Sequence, residues 1–365
     1  MTGTAPLENE LRRLIAVAGP MPVAKYISLC LTHPEHGYYV TRDPFGATGD
    51  FTTAPEVSQM FGELVGLWAA AVWQMMGAPR PVRLVELGPG RGTMMRDALR
   101  ATQVVPGFRD AVLVELVEVS PVLRDLQRHM ISDMGVEPTW YDALSDVPPG
   151  PCLILANEFV DALPVHQAVR QKDGWHERVI GLNASGRFVF GVAPEPVPHF
   201  TPMLPKRLRD APEGSIFEWR PDNLAFEVGR RVRDNGAALI IDYGHAESAT
   251  GDTLQAVGVH AFADPLESPG QVDLTAHVDF QAFGLAADSM GAAVHGPVAQ
   301  SDFLFRLGIA ERAETLKANA TPEQVAQIDA ALSRLTHGSR TGMGQLFKMM
   351  ALADPRLGML PGFEI

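Results

Sequence analysis

The sequence predicts a doubly wound α/β fold. Two observations carry this: short apolar runs alternate with helical stretches, and the first such run ends in a glycine-rich turn. The runs occupy 84–87, 112–117, 153–156 and 238–241, and each gives way to polar or glycine-rich residues. A strand buried on both faces reads as a continuous apolar run, and its alternation with helices is the pattern of a parallel sheet covered on both sides. Ligands are then expected beyond the C-terminal strand ends.

Around this core, residues 1–80 read as an N-terminal helical segment. Leu7, Leu11, Leu14 and Ile15 fall on one face of a helix over 7–32, and Phe61, Leu64, Val65, Trp68 and Val72 on one face of another over 56–77. Between them, the small-residue stretch 46–55 is either an active-site element or a connection. Residues 81–365 form the core, interrupted by a β-rich insertion at about 166–222, with Trp175, Phe188, Phe190 and Trp219, and a helical one at about 301–337. A helix over 278–290 and an antiparallel pair of strands, 292–295 with 347–352, close the sheet.

Composition narrows the function. Apolar residues make up 46% of the 365 and charged residues 20%, as in ordinary globular proteins with a large core. The net charge of −13 argues against a nucleic-acid partner, whose phosphates need clustered Lys and Arg, and suits a basic protein segment better. Cys30 and Cys152 lack the spacing of a disulfide framework or a zinc site, so no metal is expected. The first thirty residues lack the basic start and apolar run of a secretory signal, and no apolar stretch reaches the ~18 residues of a membrane span. A cytoplasmic protein without membrane insertion is the expectation.

The first strand runs through Glu86-Leu87 into Gly88-Pro89-Gly90-Arg91-Gly92, followed by a helix with Met94, Met95, Ala98 and Leu99. Glycines let backbone approach a ligand and turn sharply into a helix whose N-terminus offers unpaired N–H groups. The dinucleotide fingerprint needs glycine where this chain has Thr93, so an NAD-type oxidoreductase is disfavoured. The Glu-x-Gly-x-Gly-x-Gly spacing of Glu86, Gly88, Gly90 and Gly92 suits S-adenosyl-L-methionine, which carries no pyrophosphate. Glu118, at the tip of the second strand, is the expected ribose ligand, because a carboxylate there accepts from both hydroxyls. Glu115 competes for that role but sits mid-strand, where a partnered internal carboxylate is the ordinary outcome. Asp142, after the third strand, is the candidate for the adenine amino group, with a turn-capping Asp as the alternative.

The fourth strand delivers Asn157-Glu158-Phe159-Val160-Asp161-Ala162-Leu163-Pro164. Methyl transfer is an in-line displacement on a cationic donor, so alignment and charge management are the enzyme's tasks. With a guanidinium acceptor two cations meet, and at ~4 Å their repulsion is roughly 4 kcal/mol for an effective dielectric of about 20. Glu158 and Asp161 would offset it and clamp the planar fork, with Asn157 orienting the acceptor. The competing reading is a helix N-terminus that merely favours acids in its first turn.

These strings resemble the MidA family of methyltransferases. Besides the glycine loop and 157–164, the resemblance rests on Gly49-Asp50-Phe51-Thr52-Thr53-Ala54-Pro55-Glu56, Phe61-Gly62-Glu63-Leu64, Ile241-Asp242-Tyr243-Gly244, Asp273-Leu274-Thr275-Ala276-His277-Val278-Asp279-Phe280 and Met343-Gly344-Gln345-Leu346-Phe347-Lys348. It implies a seven-stranded, mostly parallel class I methyltransferase sheet and methylation of a protein arginine, on a respiratory complex I subunit, in support of complex I assembly. It also implies that the loop at 49–55 closes over the cofactor, with Asp50, Thr52 and Thr53 contacting the methionine end or the acceptor. Residues 253–260 depart from the more basic, tyrosine-containing stretch expected there. His277 reads as a structural partner of Asp279. A scaffold that binds the cofactor without catalysis is the alternative to an enzyme.

Overall fold

Parallel strands buried on both faces need apolar side chains on each, and the inner members of the central sheet supply them. The computed structural model describes residues 6–41, 52–258, 261–338 and 342–364. Its central sheet comprises β1 (Val82–Leu87), β2 (Val112–Val117), β3 (Thr139–Tyr141), β4 (Cys152–Asn157), β5 (Gly236–His245), β6 (Ala293–Ala299) and β7 (Phe347–Ala353), in the order β6-β7-β5-β4-β1-β2-β3. The five from β5 to β3 run parallel, while β7 is antiparallel to both β5 and β6. This is the expected seven-stranded doubly wound sheet. A two-residue strand, Val278–Asp279, adds an eighth member beside the end of β5.

Side chains alternate between two cores, as the twofold period of a strand requires. Leu153 and Leu155 of β4 and Leu239 and Ile241 of β5 face one cluster, which includes Phe61, Val65 and Trp68. Ile154 and Ala156, with Ala238 and Ile240, face the other, which includes Val228, Phe280 and Ala287. Helices Gln59–Met75 and Thr93–Ala101 cover the first face; Asn223–Val232 and Phe280–Ser289 cover the second.

Two helices are shorter than their periodicity suggests. The stretch 7–32 divides into Pro6–Ala18 and Val23–Thr32, because Gly19 turns at φ +83° and Pro20 follows it. Met21–Pro22 then pairs with Ile180 and Val179 of a separate antiparallel sheet. The stretch 56–77 begins earlier, as Ala54–Val57, and restarts as Gln59–Met75 after Ser58, which is extended and caps the Met60 N–H. In the separate sheet, His166–Gln171 lies between Gly174–Leu182 and Ile216–Trp219, and Phe188–Pro196 pairs with Gly174–Leu182. One side of this sheet packs Ile180 and Phe188 on Leu7, Leu11 and Tyr26; the other encloses Trp175, Phe200 and Phe217.

The helix after the glycine loop is seated by a glycine. A Cβ on Gly66 would lie 2.4 Å from the Ala98 Cα, so Gln59–Met75 and Thr93–Ala101 cross in near backbone contact. Gly66→Ala is therefore expected to destabilise the fold by about 1–3 kcal/mol through overpacking and to weaken cofactor binding, because the displaced helix carries the loop. Urea unfolding with cofactor titration checks this.

Candidate active site

The chain leaves β1 toward one sheet edge and returns through β4 on the other side, which opens a crevice where the strand order reverses. A cleft of about 400 Å³, counting space open to solvent, lies there. Its walls include Glu86, Gly88, Gly90, Asn157 and Glu158, with Thr53, Glu56 and Thr93 beside them. Gly88, Gly90 and Gly92 sit at φ +60°, +55° and +88°, a region in which any other residue is strained. A Cβ on Gly88 would lie 2.6 Å from the Phe159 ring, so the loop and the segment after β4 close on one another only with glycine there.

The expected ribose ligand stands at the end of β2. Glu118 is buried; its carboxylate accepts from the Ser120 N–H at 2.8 Å and the Gln127 Nε2 at 3.2 Å. Gln127 also donates to the Gly90 carbonyl at 2.8 Å and accepts from the Trp140 indole, and so ties the loop to Glu118. Sequence reasoning passed over Gln127. Its signal is a polar residue midway between buried Leu123 and Ile131 on one helical face. Glu115 pairs with Arg83, the ordinary outcome for a mid-strand carboxylate.

The adenine candidate is held by an arginine. Asp142 lies one residue past the short β3, 80% exposed, and its carboxylate accepts from Arg124 at 2.6 Å, away from the cleft lining. Arg124 is itself anchored through its Nε on the Glu118 carbonyl, so it links the Asp142 carboxylate to the tip of β2. Asp50 lies outside the described residues. Thr52 is half-buried, its carbonyl 3.5 Å from Arg334, and Thr53 is buried against the cleft.

At the tip of β4, Asn157 is buried and Glu158 has φ +49°. The Glu158 N–H continues the sheet by donating to the Ile241 carbonyl, while its Oε1 accepts from the Ala54 N–H at 3.0 Å and the Asn157 Nδ2 at 3.2 Å. Burial and the nearby Asp161 push the Glu158 carboxyl up to about 7. No helix follows β4, so the first-turn reading of the two acids does not hold. The chain turns, with Leu163 bonded back to Val160, and enters His166–Gln171. Asp161 is buried behind the cleft lining, bonded to the Ala162 N–H and the Tyr243 hydroxyl, and burial holds its carboxyl above the usual range.

Two residues that sequence reasoning gave no role hold this turn. Asp242, fully buried on β5, accepts from the N–H groups of Val160, Asp161 and Tyr243. Arg220 donates to the carbonyls of Asp161, Leu163, Ala276 and His277. Arg220 thus spends its donors on main chain, and among the described residues Glu158, Asp161 and Asp242 form no salt bridge. His277 packs edge-on to Tyr243 with its pKa lowered by burial, and Asp279 caps helix Phe280–Ser289 through the Ala282 N–H.

The cleft fits a cationic donor. The Glu86 Oε2 and the Asn157 Oδ1 are buried acceptors without a hydrogen-bond partner, and both residues line it. Burial alone drives the Glu86 carboxyl up to about 8. A ligand with an ammonium group, hydroxyl donors and a sulfonium, as in S-adenosyl-L-methionine, satisfies them.

The sequence profile of a family described as S-adenosyl-L-methionine-dependent methyltransferases matches residues 64–298. The chain belongs to this family. Its cofactor is S-adenosyl-L-methionine, and it is a methyltransferase. The chain is 40% identical to the mitochondrial protein arginine methyltransferase NDUFAF7 homolog of Drosophila melanogaster, over 96% of this chain and 85% of that one. With the mitochondrial protein arginine methyltransferase NDUFAF7 of Homo sapiens the identity is 36%, over 89% and 80%. A Burkholderia thailandensis crystal structure bound to S-adenosyl-homocysteine superposes with a TM-score of 0.82 at 27% identity, covering 100% of this chain and 96% of that one. These relatives overturn one expectation: they are named as mitochondrial proteins, and the cytoplasmic placement is withdrawn. Among the described residues no helix is long and apolar enough to cross a membrane.

Two outcomes test the cleft. Gly90→Val is expected to abolish cofactor binding in calorimetry, since it fills the loop and strains its backbone. For Glu86, the folded pKa of about 8 lies above the unfolded value, so its contribution to stability is present at acidic pH and lost as pH rises through 8. Thermal unfolding of the cofactor-free Glu86→Gln variant should therefore exceed wild type by a margin that widens from about pH 5 to pH 9. A constant margin would contradict an unpartnered buried acid.

Proposed function

We propose that the chain is a protein arginine N-methyltransferase that acts on a subunit of respiratory complex I and supports the assembly of that complex. The observation that carries this reading is the set of acids at the tips of β4 and β5. Glu158, Asp161 and Asp242 crowd together without a salt bridge; burial holds all three carboxyls upward, Asp161 adds to this at Glu158 and Asp242, and Arg220 offsets only part of it at Asp161 and Asp242. A buried cluster short of counter-charge is stabilised by an incoming cation, and a guanidinium offers charge together with a planar fork of donors. The names of the relatives and the likeness of 157–164 to the MidA signature point the same way.

When bound, the cofactor supplies an electrophilic methyl group on positively charged sulfur. Glu158 faces the cleft, holds one edge of the acceptor guanidinium and takes the proton released as the nitrogen–carbon bond forms. Asp161 and Asn157 orient that acceptor, Asp161 through its bond with Tyr243 and Asn157 through its amide. Glu86, Glu118 and the loop at Gly88, Gly90 and Gly92 hold the cofactor, with Thr52 and Thr53 over it. In this reading residues 1–80 act as a helical segment beside the site and 81–365 as the catalytic core, with insertions at about 166–222 and 301–337.

Incubation with methyl-labelled cofactor and candidate complex I subunits should place label on arginine. Glu158→Gln is expected to reduce transfer by about 100-fold or more, with cofactor affinity within about threefold of wild type. Equal losses of both would move Glu158 from the acceptor to the cofactor, and absence of label on arginine with every subunit would remove the reading.

A further inference from the structure

Helix Ala54–Val57 is a single turn with no side-chain cap of its own, since the Thr53 hydroxyl makes no bond to it. Its first N–H, on Ala54, is instead satisfied by the Glu158 carboxylate from the tip of β4. Two residues further on, Glu56 accepts a hydrogen bond from the hydroxyl of Thr93, the first residue of the helix that follows the glycine loop. The short helix packs between Thr93–Ala101 and Pro322–Thr336, and Glu56, Thr93 and Glu158 all line the cleft. An isolated turn of helix is unstable, so these side-chain bonds and this packing set its orientation.

We propose that Glu56 and Thr93 are positioning residues that act on Glu158 through this helix: one bond fastens it to the cofactor loop, and the Ala54 N–H passes that constraint to the acid. The proposal rests on the reading of Glu158 as the acceptor-side acid. Thr93, which breaks the dinucleotide fingerprint, thereby gains a purpose that glycine could not serve, because glycine has no side chain to donate to Glu56. Ordering of the loop around the cofactor orders the helix, and the helix then holds the strained Glu158 backbone with its carboxylate toward the cleft. Acceptor-side geometry becomes contingent on cofactor occupancy.

Amide hydrogen exchange at Ala54, in the full chain with and without S-adenosyl-homocysteine, tests this without any methyl acceptor. Thr93→Val should speed Ala54 exchange by about fivefold, the loss expected for one hydrogen bond, although Thr93 is bonded to Glu56 and not to Ala54. Thr93→Ser should restore the wild-type rate. Glu56→Ala should match Thr93→Val, and the double variant should be no faster than the faster single one. Added S-adenosyl-homocysteine should slow exchange in wild type and leave Thr93→Val unslowed. Should Thr93→Val fold poorly, Glu56→Gln, which keeps an acceptor oxygen, against Glu56→Ala gives the same comparison. Unchanged Ala54 exchange in Glu56→Ala, or slowing by S-adenosyl-homocysteine undiminished in Thr93→Val, overturns the coupling. Neither result bears on arginine methylation, so the two failures are distinguishable.

Discussion

A carboxylate at the end of a buried parallel strand is held against two opposing tendencies, desolvation and repulsion from its neighbours. In this chain main-chain donors meet much of the opposition, and the buried charge of Arg220 offsets part of the rest at Asp161 and Asp242. Glu158 takes the Ala54 N–H, and Asp242 takes three N–H groups from the turn after β4 and from its own strand. Backbone donors fix position without cancelling charge, so the turn is held in place while its carboxyls stay above their usual range. The positive φ at Glu158 is affordable in that setting because sheet pairing through Ile241 and the Asp242 bonds over-determine the backbone.

The cofactor side follows the same logic with a different balance. Glu118 is anchored by Gln127 and the Ser120 N–H, and is thereby pre-positioned. Glu86 and Asn157 keep unpartnered oxygens in the cleft. One set of acceptors gives shape and the other waits for donors. Arg220 joins the 161–163 turn to the 276–277 segment through carbonyls, and its buried charge offsets part of the upward shift of Asp161 and Asp242 without a direct ion pair.

Membership of the methyltransferase family makes the fold and cofactor of this chain those of a large class, and what distinguishes it is built around that class. The short helix over the cleft comes from the N-terminal segment, its packing partner Pro322–Thr336 from far along the chain, and Arg220 from just beyond the separate antiparallel sheet. Segments distant in sequence thus converge on the single turn that follows β4.

The strands and the glycine turn were legible in the sequence because their causes are local: twofold alternation, continuous apolar runs, and residues that tolerate positive φ. That Glu86, Glu118, Asn157 and Glu158 lie at or beside strand ends was legible for the same reason, since a strand end in this sheet is a fixed address. Helix breaks at Gly19 and Ser58 were harder, as apolar periodicity continues across them while the backbone does not. Asp142 shows a limit: its position after β3 is a matter of sequence, but its pairing with Arg124, which also bonds the Glu118 carbonyl, is not. Which oxygens stay unpartnered, which arginine spends itself on carbonyls, and which N–H reaches Glu158 across 104 residues were decided by tertiary structure alone. Hydrogen bonds between distant segments leave no period in a sequence; they exist only once the sheet has brought the partners within about 3 Å.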